Sequence, residues 1–187
     1  FDQAALPPKR QLELHVDADA FMFLMEKERY SDHPTSETLV VDKVATGLYE
    51  YVQRSHQMDD ADVGISAIPF HELPDETREE WRRMAADVPR KLRTINCGVR
   101  KLADNASART PDITEDDVEE LAKLEHARYR REKSVQGWSH REGDEDPQAR
   151  TSPFLVPYAK LPESRRKAYR LTIWGTPVAL AKARLEI

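Results

Sequence analysis

Apolar residues at Val41, Val44, Ala45, Leu48 and Val52 recur three and four apart, which predicts a helix over Val41 to Arg54 with one buried face, flanked by Tyr49 and Tyr51. The polar run from Ser55 to Ser66 reads as a loop, and Pro69 and Pro74 bracket an extended turn. Leu73-Pro74-Asp75-Glu76 then opens a helix, because proline arrives with its φ already set and acids favour a helix N-terminus. That helix is expected to reach about Ala86, with Pro89 restarting a shorter one through Ile95 and Gly98 ending it. Past a polar stretch without periodicity, Thr114 to Asp117 has the pattern of a capping box, and Val118, Leu121, Ala122 and Tyr129 mark the inner stripe of a helix over 115–136 with Gly137 as its C-cap. A charged loop runs from Ser139 to Thr151. Pro162 and Pro177 then predict two further helices, and Arg184 to Ile187 a closing strand. Before all of this, Pro7-Pro8 and Lys9-Arg10 resemble a linker, Leu12 to Val16 alternates like a short strand, and Phe21 to Glu28 is an apolar patch.

The pattern is stated twice. The stretch that opens Ile68-Pro-Phe-His-Glu-Leu-Pro-Asp75 and runs to Val99 aligns without a gap against the one that opens Val156-Pro-Tyr-Ala-Lys-Leu-Pro-Glu163 and runs to Ile187, at a constant offset of 88 residues (156 − 68). Pro69, Leu73, Pro74, Arg78, Arg82, Pro89 and Leu92 recur as Pro157, Leu161, Pro162, Arg166, Arg170, Pro177 and Leu180, and Phe70/Tyr158 and Trp81/Tyr169 are aromatic in both copies. The expected architecture is mainly α, two pseudo-symmetric helical repeats with a few short β-strands. Its boundaries are an N-terminal linker or packing segment over 1–38, a first, divergent repeat over 39–103, a linker over 104–111 and a second repeat over 112–187.

Composition narrows the function classes. A net charge of −5 and a pI near 5.7 do not suit a general DNA or RNA binder, which needs an excess of Lys and Arg against phosphate. Cys97 is the single cysteine, so no disulfide framework exists and an intracellular, cytoplasmic setting is expected. With no run of about 18 apolar residues, direct membrane insertion is not expected. The first residue is Phe1, without Met or a signal-peptide pattern, which reads as a piece of a longer protein whose missing part is N-terminal. The six His residues show no helical ligand spacing and no Cys partner, so no metal site is expected. Six Gly leave no material for a phosphate-cradling loop, no Ser sits on an elbow motif, and Asp144-Glu145-Asp146 reads as a solvated loop. Neither a cofactor nor catalysis is expected.

The chemistry lies on the predicted helix 115–136. Helical spacing puts Glu125 and Arg128 on or beside its apolar stripe, with His126 at the edge. Inward charges need partners, because unpaired burial costs several kcal/mol, roughly. Two readings stay open: an internal Glu125/Arg128 ion pair at i, i+3, or a polar cleft lined by both. Trp138, directly after Gly137, is either a plug in the core or a platform on which a base stacks, with Arg130, Arg131 and Lys133 supplying positive charge nearby. Helix geometry turns two of those three cations to solvent, so they are not all ligands.

Leu121-Ala-Lys-Leu-Glu-His-Ala-Arg-Tyr129, Lys133, Gly137-Trp138, Ser152-Pro-Phe-Leu-Val-Pro-Tyr158 and Leu161-Pro-Glu163 together resemble the ryanodine-receptor repeat, the RyR domain, in its bacterial type. Val44-Ala45, Leu48-Tyr49-Glu50, Ile68-Pro-Phe70, Glu72-Leu-Pro-Asp75 and Arg90 to Cys97 look like a more divergent tandem copy, and the two cover about 41–187. In bacteria such domains sit at the C-terminus of larger proteins, some with a Rossmann NAD-binding domain of the potassium-transport type, and others in systems that sense nucleotide-derived signals. In animal calcium-release channels the paired repeats form a helical lobe whose cleft holds an adenine nucleotide. The resemblance therefore implies a non-catalytic ligand-sensing module that binds an adenine nucleotide or ADP-ribose-like signal, cyclic forms included, and regulates a larger protein through an N-terminal effector or Rossmann-type domain. It implies Trp138 as the stacking residue and Glu125, His126, Arg128 and Lys133 as polar cleft residues. Tyr129 stands where the family usually carries Trp, Ser152 where a His often precedes Pro153, and Ser139-His140 in place of an aromatic-Gly pair. The first copy lacks Gly-Trp, so a single site is expected, with Tyr49, at the position matching His126, as its opposite wall. The alternative is a structural or homo-oligomerising module of a potassium-transport-type NAD-binding protein with no small-molecule ligand.

Overall fold

The computed structural model describes residues 36–59, 68–103, 106–108 and 111–187. The expected strand over Leu12 to Val16 and the apolar patch over Phe21 to Glu28 lie outside the described residues. In order, the elements are α1 (Ser36–Asp59), α2 (Asp75–Ala86), α3 (Val88–Thr94), β1 (Arg100–Lys101), α4 (Glu115–Val135), β2 (Ser139–His140), β3 (Thr151–Ser152), α5 (Glu163–Lys182) and β4 (Leu185–Glu186), with 3-10 turns at Phe70–Glu72 and Tyr158–Lys160. The chain is mainly helical with a few short strands. Its described residues form two compact units: those up to Asp112 together with Gly175–Ile187, and Ile113–Trp174.

In the first unit, α1 buries Val41, Val44, Ala45, Leu48 and Val52, the stripe predicted from spacing, and also Tyr49, expected at its flank. It does not stop at Arg54: the stretch from Ser55, expected as loop, stays helical to Asp59. Polarity alone does not end a helix, and no Gly or Pro intervenes before Gly64. The Ser55 hydroxyl donates to the Tyr51 carbonyl at 3.0 Å, which satisfies both groups within the helix. Pro69 and Pro74 fix extended backbone on either side of the 3-10 turn, with φ/ψ of −57/145° and −52/144°. Phe70 from this turn and Trp81 from α2 pack on the ring of Tyr49, at centroid distances of 5.9 and 5.6 Å. Arg82 donates from Nε to Asp42 Oδ1 at 2.5 Å, tying α2 to α1.

Between α2 and α3 only Asp87 leaves the helix, and Pro89 occupies the first turn of α3, where a missing N–H costs nothing. The repeat predicts the same break at Pro177. The structure corrects this: α5 runs unbroken through Pro177. The proline costs about 3 kcal/mol in a helix interior, and burial of Ile173, Ala179 and Leu180 on its two sides offsets it. The closing strand forms as expected, β4 pairing antiparallel with β1, a partner that periodicity did not reveal.

Two glycines allow close approach in this unit. A Cβ on Gly47 would stand 2.8 Å from the Cα of Ala179, and one on Gly175 would stand 2.6 Å from the Tyr51 ring.

In the second unit the capping box forms: the Asp117 N–H donates to Thr114 Oγ1 at 3.2 Å and the Thr114 N–H to Asp117 Oδ2 at 2.9 Å. α4 ends in a Schellman motif, in which Gly137 takes φ 82°, its N–H reaches the Ser134 carbonyl at 3.0 Å, and the Trp138 N–H reaches the Lys133 carbonyl at 2.8 Å. The expected charged loop after Trp138 is bounded by structure: β2 and β3 pair in parallel, Ser139 with Thr151 and His140 with Ser152. Two-residue strands are too short for a period-2 signal to be legible.

Ala is the better helix former than Gly by about 1 kcal/mol, but an added Cβ at position 47 must displace backbone, and overpacking costs about 1–3 kcal/mol. Gly47→Ala is therefore expected to destabilise the protein by about 1 kcal/mol, read as a lower urea midpoint; a raised midpoint would show that the helices separate freely there.

Candidate functional site

α4 carries five of the seven residues implicated by sequence, and its Schellman end sets the sixth, Trp138, one turn beyond Lys133. Glu125 has no exposed surface, and His126, Arg128 and Lys133 are buried. Arg128 forks onto Glu125 Oε1 through Nε at 2.9 Å and Nη2 at 2.6 Å. Its Nη1 lies 2.6 Å from Glu132 Oε1 on the next turn. Burial pulls the Arg128 pKa down most strongly, but the charges and hydrogen bonds of Glu125 and Glu132 outweigh it and leave the guanidinium held firmly protonated. Of the two arrangements that spacing allows, ion pair or open polar cleft, the internal ion pair is the one formed.

His126 sits inside an aromatic cage rather than at an edge. Its ring lies 5.2 Å from Tyr169, 5.9 Å from Tyr158 and 6.1 Å from Tyr129, the last nearly parallel. Nε2 is 2.7 Å from the Val156 carbonyl and Nδ1 3.1 Å from the Tyr169 hydroxyl. A carbonyl only accepts, so Nε2 carries the proton, and Nδ1 accepts from the tyrosine. Burial lowers the His126 pKa, with the Val156 hydrogen bond opposing and Arg130 and Arg165 adding repulsion. Burial likewise raises the Tyr169 and Tyr129 hydroxyls.

The outer part of the site is more open. Trp138 is partly buried, and the Lys133 ammonium stands 4.3 Å from its ring centroid and 5.8 Å from that of Tyr129. Buried Ser152 donates to Glu145 Oε2 at 2.8 Å, a carboxylate oxygen that also lies 3.5 Å from the Tyr129 hydroxyl. The loop beyond encloses a concavity of about 580 Å³ lined by Glu142, Asp144, Glu145 and Asp146 with Arg141. Its acids repel phosphate and accept from hydroxyl groups. Among the described residues no group of three His, Cys, Asp or Glu side chains is placed to hold a metal ion.

Residues 103–182 match the family model of the RyR domain. The match supports RyR kinship for that segment, which contains every residue of α4 and Trp138. No curated protein matches the chain. Tyr49, the seventh residue implicated by sequence, precedes the RyR segment and lies in the first unit, where its hydroxyl donates to the Ile68 carbonyl at 2.7 Å and its ring packs on Phe70 and Trp81.

Sequence reasoning did not single out Glu132, Tyr158, Tyr169 or the Ser152/Glu145 contact as parts of the site. A signal for two of them was present: Tyr158 and Tyr169 are the positions kept aromatic across the repeat.

The burial of this RyR segment has two measurable consequences. Arg128→Met leaves Glu125 buried without its counter-ion and is expected to cost about 3–5 kcal/mol in chemical denaturation, whereas Glu125→Leu/Arg128→Met costs less than the single change; equal losses would place the pair in water. The lowered His126 pKa means that the unfolded chain binds this proton more readily. Its stabilisation is thus complete above the ordinary His value of about 6.5 and is lost as pH falls from there through the depressed folded value. The urea midpoint of the native protein should therefore drop between pH 8 and pH 5 by more than that of His126→Gln; identical slopes would remove His126 as the cause.

Proposed function

We propose that the RyR segment is a non-catalytic ligand sensor that takes an adenine nucleotide or ADP-ribose-like molecule, cyclic forms included, beside Trp138 and thereby regulates a larger protein. The observation that carries this reading is the pairing of Trp138, which keeps part of its surface open, with a buried lysine ammonium against its ring. Holding a cation in a buried position is costly, and beside an accessible indole it supplies what a base with attached phosphates needs: a face for stacking and a fixed positive charge. Lys133 and Trp138 contact the ligand, and Tyr129 forms the adjoining wall. Glu125, Arg128 and His126 hold α4 in position beneath them. The acids of the neighbouring loop favour ribose hydroxyls on that side and turn phosphates toward Lys133.

We also read residues 39–103 as a divergent tandem copy. Matching contacts in the two units support this. Asp42–Arg82 answers to Glu119–Arg170, at 2.5 and 3.3 Å. Tyr49 to the Ile68 carbonyl answers to His126 to the Val156 carbonyl, both at 2.7 Å.

The structural alternative draws on the buried Glu125/Arg128 pair with the partly exposed Glu132 beside it, which has the character of scaffold. Calorimetry with AMP, ADP, ATP, ADP-ribose and cyclic adenine nucleotides separates the two. The expected result is saturable heat with at least one of them, a loss of about tenfold or more in affinity for Trp138→Ala, corresponding to about 1.4 kcal/mol, and a weakening in Lys133→Met that is absent when adenosine replaces the nucleotide. No heat from any ligand, combined with a stability loss of about 3–5 kcal/mol in Trp138→Ala as for a core aromatic, would establish the structural reading instead.

A further inference from the structure

The first unit contains a cavity of about 390 Å³, within the range of small-molecule sites. Val41 and Val44 of α1, Val88 of α3, and Leu180, Ala183 and Leu185 from the C-terminal stretch form its walls. Among the described residues its lining is aliphatic, with no aromatic or acidic side chain, so these residues offer neither a stacking face for a base nor a carboxylate for a cationic group. Four cations do line it, Arg93, Arg100, Lys101 and Arg184. Two of them, Lys101 and Arg184, lie at the paired ends of β1 and β4. Lys101 lies opposite Leu185, and Arg184 gives its carbonyl to the Leu102 N–H at 2.8 Å.

The compensation of these charges differs. Arg100 pairs with Glu186 at 2.7 Å. The Arg184 guanidinium instead donates to the carbonyls of Ala103 and Ala106, at 2.7 and 3.2 Å, neutral acceptors that leave its positive charge in place among the described residues. Lys101 is exposed. The cavity therefore has an aliphatic body and cationic residues in its lining.

We propose that this cavity binds an aliphatic carboxylate, a single acyl chain whose methylenes fill the valine and leucine walls and whose anionic head meets Lys101 and Arg184. The match is one of chemistry on both halves. Each buried methylene contributes about 0.8 kcal/mol, and a carboxylate accepts from both ammonium and guanidinium donors. The site is separate from that of Trp138, since every lining residue belongs to the first unit, and the proposal does not rest on nucleotide binding.

Cys97 lines the same cavity and is the only cysteine of the chain, so its thiol reports occupancy directly. The probe is sodium dodecanoate below its micellar concentration, against dodecanol, with Cys97 modification by a chromogenic disulfide followed in the full chain. Dodecanoate is expected to slow modification saturably by about fivefold or more and to raise the melting temperature. Dodecanol should protect less, and Lys101→Glu, a change at an exposed position, should abolish the advantage of the acid over the alcohol. Absence of protection, or equal protection by acid and alcohol, would overturn the proposal. So would a thiol already shielded without added lipid and released by Phe21→Asp/Leu24→Asp, because the chain's own apolar stretch would then be the occupant.

Discussion

A carboxylate with no exposed surface, Glu125, is the constraint around which the second unit is arranged. Desolvating it is costly unless a cation and hydrogen bonds replace the water, and Arg128, three residues on, supplies both through a two-pronged contact to a single oxygen. The guanidinium so committed is itself buried, and Glu132 on the following turn sets a second carboxylate oxygen 2.6 Å from its Nη1. Against apolar side chains of equal volume such a cluster adds little net stability. What it constrains is rotation. A turn of α4 by one residue would move Val118, Leu121 and Ala122 out of the core and put unpaired charge in their place, so the inner face of α4 is fixed by both attraction and penalty.

Fixing α4 fixes what extends from it. Tyr129 and Lys133 stand one turn apart on the same side, and the Schellman end, with Gly137 in the left-handed region, returns the chain so that Trp138 meets the Lys133 ammonium. A side chain other than Gly at that φ is disfavoured by roughly 1–2 kcal/mol. The Gly-Trp pair is therefore a geometric unit: the glycine aims the indole, and the buried cluster holds the helix that aims the glycine. His126 closes the opposite side by joining α4 to the Val156 carbonyl and to Tyr169 of α5.

Much of this was legible in the sequence because it rests on local rules. The capping box at Thr114, the Gly137 end, the Pro74 start of α2 and the inner stripes of α1 and α4 derive from spacing and from the conformational limits of Gly and Pro. The misreadings share a different cause. The continuation of α1 past Ser55 and of α5 through Pro177 depends on packing and backbone satisfaction elsewhere, which a breaker or a polar run does not encode. The strands β1, β2 and β3 are too short to show alternation. In the site, the i, i+3 spacing announced the Glu125/Arg128 pair, but the placement of His126 among three tyrosines required contacts some thirty and forty residues distant, which only the paired aromatic positions of the repeat hinted at.

The contrast between α1 and α4 bears on the role of the charged residues. On the tandem reading, Leu48 and Tyr49 stand where the second copy has Glu125 and His126, and Leu48 is as fully buried as Glu125. The same position thus accepts a leucine, and the tyrosine hydroxyl makes the carbonyl contact that His126 makes with its ring nitrogen. On that reading, a helical repeat of this shape does not need a buried ion pair or an imidazole to fold. Under the proposed function their presence in the second unit has a reason beyond folding, since that unit is also the one in which an indole and a buried lysine come together at the helix end. If the charges were only scaffold, the first unit shows a simpler scaffold was available; their cost is understandable where the outer turn of α4 must be held rigid for a ligand.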